Sequence, residues 1–193
     1  MNRKIALGRC YSIGFLSLIL LLCTSAQAES NPIYDEIEWI ELMPQSDLDA
    51  LLDPPDFLNE IKDGSELDSV QALSGMSEKS ENVERFQQAL TSTRIIQSFD
   101  KKSIRIPGFI VPLSSDDQKR VVEFFIVPYF GACLHMPPPP PNQIIYGKFS
   151  KGIKLTQLDV AFWFEGVINI ETNSNETGTS AYAMTLDNIE IYD

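Results

Sequence analysis

Between residue 103 and the C-terminus the chain is divided into five short runs rich in β-branched and aromatic residues, at 103–113, 121–127, 143–149, 160–171 and 181–192. Runs of this length bounded by turn residues read as strands. Glycine or proline interrupts several of them, at Pro107-Gly108, Pro112 and Gly166, which is the texture of bends, bulges and edges in a strongly curved sheet. The pattern restricts this part of the chain to a mainly β fold, a small OB-like β-barrel, with a β-sandwich as the alternative. Residues 173–180 read as a hairpin loop joining the last two runs.

The segment before the strands differs in charge. Residues 29–81 hold fifteen acidic and two basic residues, whereas 82–193 hold twelve and ten. We therefore divide the chain into an acidic N-terminal arm with short helices and a flexible loop over 29–92 and a β-rich body over 93–193. Ile33, Trp39, Leu42, Leu48, Leu51, Leu52 and Phe57 make the arm too apolar for a disordered tail, so it is expected to pack on the body. A helix capped by Ser46 or Asp47 would present Leu48, Leu51 and Leu52 on one face and stop at Pro54-Pro55. Residues 63–80 are polar and rich in Gly and Ser, as a mobile loop would be. Val83, Phe86 and Leu90 recur at helical spacing over 81–91.

Residues 1–28 carry Arg3, Lys4 and Arg9, an apolar stretch from Ile13 to Leu22, and the ending Ala26-Gln27-Ala28. That is the build of a secretory signal peptide cleaved after Ala28, with an apolar run too short to span a bilayer core. The expected location is the periplasm, with no stable membrane insertion after cleavage. Cleavage would leave 165 residues, with 27 acidic against 12 basic side chains. Such a balance excludes nucleic acid as a partner, because phosphate binding needs clustered Lys and Arg.

After cleavage one cysteine and one histidine remain, and they stand two residues apart, as Cys133 and His135. In an extended chain both side chains point to the same side, and zinc accepts both donors. A zinc site would need further oxygen ligands, for which Glu123, Asp47 and Asp49 are candidates. Two other readings stand beside it: Cys133 as a buried small hydrophobe with His135 a hydrogen-bonded neutral imidazole, or Cys133 as a thiolate nucleophile held by His135 and Asn142. Pro137, Pro138, Pro139, Pro140 and Pro141 impose a stiff polyproline II segment without backbone donors. Its readings are a strut packed on Tyr129, Phe130 or Trp163, a clamp that steadies Cys133 and His135, or a ligand for a partner's aromatic groove. No Gly-rich phosphate loop, H-E-x-x-H or nucleophile elbow is present, so the sequence names no reaction.

The string Gly131-Ala132-Cys133-Leu134-His135-Met136, followed by Pro137 to Pro141 and Asn142-Gln143, resembles domain-of-unknown-function family 3299, a family of Gram-negative exported proteins. Arg105 to Leu113, the terminal Gly166 to Tyr192 segment and, more loosely, Trp39 to Pro44 share the likeness. The resemblance implies a periplasmic location and a small β-rich fold. Association of family members with ABC-transporter genes and zinc-responsive clusters implies a metal-binding or metal-trafficking accessory role. It points to Cys133, His135, Asn142 and Gln143 as positions to test. The alternative is a non-catalytic envelope interaction module, docking on an ABC transporter or another envelope component, in which the Cys/His/Pro motif is purely structural.

Overall fold

The longest strand, β2 (Ser103–Ser115), alternates buried and half-buried residues over its first eight positions. Ile104, Ile106 and Ile110 point into the core, as the period-two geometry of a strand requires. The computed structural model describes residues 34–55, 81–132 and 138–192, and residues 32–193 cluster as one unit. Beyond β2 the body comprises β3 (Val121–Val127), β4 (Ile145–Ile153), β5 (Phe162–Asn169) and β8 (Tyr182–Ile191), with the two-residue strands β6 (Asn173–Ser174) and β7 (Thr179–Ser180) forming a separate hairpin.

The strand order is β2-β3-β4-β8-β5, and β5 returns to pair with β2, so the sheet closes into a barrel. Pairing of β4 with β8 is parallel, while the other four pairings around the barrel are antiparallel. This is a small OB-like barrel; closure separates it from a sandwich. Its interior is filled by Ile104, Ile106, Phe124, Ile126, Ile145, Phe164, Ile168, Tyr182 and Met184.

A closed barrel forces backbones together at defined points. β2 pairs with β5 through Gly108 and with β3 from Phe109 onward. At that changeover, a Cβ on Gly108 would lie 2.8 Å from the Val127 carbonyl oxygen and 3.2 Å from the Trp39 ring. Gly166 stands at the register shift of β5 against β8, where a Cβ would lie only 2.2 Å from the Thr185 carbonyl oxygen. These are the interruptions that mark curvature in the sequence.

The arm lies on this barrel. β1 (Asp35–Glu36) pairs in parallel with β2 at Ile104 and Arg105. A 3₁₀ turn over Trp39–Leu42 follows, then α1 (Gln45–Leu52) and α2 (Glu81–Leu90). Ile37 and Leu42 join the barrel core. α2 buries Val83, Phe86 and Ala89, close to its expected apolar face. α1 departs from expectation: it starts after Pro44, buries Asp47 and Ala50, and leaves Leu52 73% exposed. Asp47 is drawn inward rather than serving as a cap, because its partners lie in the connector after α2 and in the proline motif.

Candidate functional site

The proline motif ends in a 3₁₀ turn over Pro141–Gln143, with Pro140 in polyproline II geometry at φ −63° and ψ 157°. Asn142 is fully buried. Its Nδ2 donates to Asp47 Oδ2 at 3.2 Å and to the Arg94 carbonyl at 3.0 Å, and its backbone N–H donates to the Ser92 carbonyl at 3.3 Å. Asp47 also accepts from Ser92 Oγ at 2.6 Å and from the Arg94 guanidinium. Gln143 Nε2 donates to the Trp39 carbonyl at 2.7 Å, and Trp39 Nε1 donates to the Pro107 carbonyl at 2.6 Å.

Tyr182, from the barrel interior, completes the set. Its hydroxyl donates to the Leu42 carbonyl at 2.9 Å and accepts from the Ile96 N–H at 2.7 Å. Burial pushes this hydroxyl above the usual tyrosine range, against the smaller opposing effect of the Ile96 hydrogen bond. Asn142, Gln143 and Tyr182 therefore tie the arm, the connector and the barrel together. Of Asn142, only Oδ1 has no partner.

Beside this polar clamp runs an open apolar groove of about 300 Å³. One wall is helical, with Ile40 and Met43 from the 3₁₀ turn, Leu48 and Leu51 from α1, and Phe86 and Leu90 from α2. The other wall is Pro128 and Tyr129 after β3 with Pro138, Pro139 and Pro140, and Gln143 lies at the base of the motif. Ile40 is 49% and Tyr129 40% exposed. Of the aromatics expected beside the proline segment, Tyr129 is there. Phe130 instead packs on Phe109 with centroids 6.2 Å apart, and Trp163 lies 4.1 Å under the Arg105 guanidinium and 5.0 Å from Tyr192.

Glu123 occupies a second, polar cleft of about 400 Å³ with Ser114, Tyr146, Asn173, Asn175 and Glu176. The Tyr146 hydroxyl is pushed up to about 12, chiefly by burial and then by the neighbouring Glu123 carboxylate. Asp49 accepts from Gln45 Nε2 at 2.7 Å on the exposed side of α1. Cys133, His135 and Pro137 lie outside the described residues, as does the leader over 1–28. Among the described residues, no group of three or more His, Cys, Asp or Glu side chains is gathered as a metal site would require.

OB folds commonly bind oligonucleotides or oligosaccharides on the face of their second and third strands, here β3 and β4. In this barrel that face carries a second apolar cluster of Phe125, Val127, Ala132, Ile144, Tyr146 and Ala183, each less than 9% exposed. The β6–β7 hairpin lies over it, since a Cβ on Gly178 would sit 3.7 Å from the Phe125 ring. The groove was not legible in sequence, because four separate segments supply its walls; the Asn142-Gln143 pair after the prolines was the visible sign of the clamp.

The chain belongs to the family described as protein of unknown function (DUF3299), whose model matches residues 39–191. It is similar to the crystal structure of a DUF3299 family protein from Pseudomonas aeruginosa PAO1 at 30% sequence identity and a TM-score of 0.59, over 84% of this chain and 98% of that one. Among curated proteins, none matches the chain.

Proposed function

Taking the chain as a member of that family, we propose that it is an exported, non-catalytic interaction module of the cell envelope, and that the apolar groove between the arm helices and the proline segment is its binding surface. The observation that carries this reading is the division of labour within the motif. Asn142 and Gln143 spend their side chains on Asp47, Arg94 and Trp39, while Pro138 to Pro140 wall an open groove that leaves half of Ile40 exposed. A photo-crosslinking residue at Ile40, in cells, tests it. We expect a discrete adduct that disappears with Leu51→Asp; no adduct from Ile40 or from Tyr129 overturns the reading.

A second reading, metal trafficking with zinc beside an ABC transporter, is supported by where the chain attaches the C-x-H pair: immediately after buried Ala132 and a few residues before Pro138 of the groove wall. Calorimetric zinc titration of the reduced chain tests this reading. One-to-one uptake lost in Cys133→Ser and His135→Ala supports it, and Glu123→Gln asks whether that carboxylate takes part. Equal uptake in all forms refutes it. Fractionation of cells, with a mass shift marking removal of residues 1–28, tests export to the periplasm.

A further inference from the structure

The groove's walls are apolar, but its surroundings are not. Residues 34–55 contain seven carboxylates and no lysine or arginine. Glu41 is exposed on the 3₁₀ turn that supplies Ile40 and Met43, Asp49 is exposed on the helix that supplies Leu48 and Leu51, and Asp53 is exposed just beyond that helix. α2 adds exposed Glu81 and Glu84 against Arg85. Arg94 is committed to Asp47 and Ser46. The opposite wall carries Pro128, Pro138, Pro139 and Pro140 beside Tyr129, and the prolines bring no N–H donor to it.

Resting on the proposal that this groove is the binding surface, we infer that its occupant is a cationic apolar polypeptide segment: one or two bulky aliphatic or aromatic side chains flanked by lysine or arginine. A cavity of about 300 Å³ stands at the small end of the range for ligand sites, roughly 300–1,000 Å³. It therefore takes anchoring side chains rather than a whole helix. The exposed carboxylates of the arm give this side of the molecule a negative field that attracts a basic flank. A second copy of the chain would bring one acidic arm against another, and an anionic lipid surface would be repelled by the arm.

The test uses the full chain and three fluorescein-labelled twelve-residue peptides. The first interleaves leucine with lysine, the second replaces each lysine with glutamate, and the third replaces each leucine with serine. Anisotropy at low salt should rank the lysine–leucine peptide at least about tenfold tighter than either relative, with affinity falling as salt rises. Ile40→Lys, at a half-exposed position that spares the core, should abolish that binding; Asp49→Lys with Asp53→Lys should remove the preference for positive charge. Equal binding of the lysine and glutamate peptides, blocked by Ile40→Lys, leaves the groove as the binding surface and overturns the charge inference. Binding insensitive to Ile40→Lys, or chain dimers that Ile40→Lys dissolves, overturns the inference in favour of another surface or of a second copy. No binding by any peptide, with an Ile40 adduct still formed in cells, overturns it too.

Discussion

Asp47→Ala should release the arm from the barrel. The carboxylate is 4% exposed and receives Ser92 Oγ, Asn142 Nδ2 and the Arg94 guanidinium. Arg94 is 58% exposed, so it regains water on losing its partner and adds little. Ser92 and Asn142 are 7% and 0% exposed, and their donors stay in a dry site. A buried group deprived of its hydrogen bond costs about 1–3 kcal/mol, so the two together amount to about 2–6 kcal/mol. Against a typical domain stability of about 5–15 kcal/mol, that is a large share. Urea unfolding should be followed by two probes: emission from Trp39, one of the chain's two tryptophans, and far-UV circular dichroism of the barrel. In the wild type the two transitions should coincide. In Asp47→Ala the Trp39 transition should move to lower urea ahead of the barrel signal. Ser46→Ala, which removes only an exposed bond to Arg94, should stay within about 0.5 kcal/mol of wild type. A loss below about 1 kcal/mol in Asp47→Ala would show that the cluster does not hold the arm.

Two further outcomes follow from the barrel. Gly166→Ala places a methyl 2.2 Å from the Thr185 carbonyl oxygen and 2.9 Å from Leu186 Cα, both backbone atoms that cannot step aside. Thermal melts should show a loss of about 3 kcal/mol or more, the upper end for overpacking, and an unchanged melt would refute the close crossing. The Tyr146 hydroxyl, pushed up to about 12, favours the folded chain while protonated. Its contribution is therefore complete below the unfolded value of about 10 and is lost as pH rises towards about 12. Tyr146→Phe should lose less stability than wild type between those limits. Tyr34, also pushed up to about 12 by burial and Asp187, keeps part of the dependence in both proteins. Parallel stability curves for wild type and Tyr146→Phe would refute the assignment.

The strands were legible because their information is local. Alternation and turn residues mark β3 at the bounds it has, Val121–Val127, and place β2, β5 and β8 within a few residues of theirs. Barrel or sandwich was not legible, since closure depends on β5 returning to β2, a pairing that no local pattern encodes. α2 followed its period, burying Val83 and Phe86 one turn apart. α1 did not. Its Asp47 reads locally as a cap, but its partners Ser92 and Asn142 lie 45 and 95 residues away. With Asp47 turned inward, the helix rotates and Leu52 meets solvent. The same separation hid the partners of Asn142 and Gln143, which the motif marks as positions to test without saying what they bond.

Fold-level analogy would place the binding surface of an OB-like barrel on β3 and β4. Phe125 and Val127 are fully buried there, and the β6–β7 hairpin rests against Phe125. A ligand could reach Phe125 only by displacing the hairpin, and the cleft beside it, lined by Glu123, Tyr146 and Glu176, is polar. Each large side chain so exposed costs about 1.5–3 kcal/mol before any contact with a ligand is gained. The arm end differs, because Ile40 and Tyr129 are already half open to solvent and an arriving apolar side chain gains contact without displacing any part of the fold. Burial of the customary face and exposure of the groove thus favour one site over the other on energetic grounds. The arm is then more than a packing accessory: through Asp47, Asn142 and Gln143 it holds the helical wall against the proline wall and keeps the groove open between them.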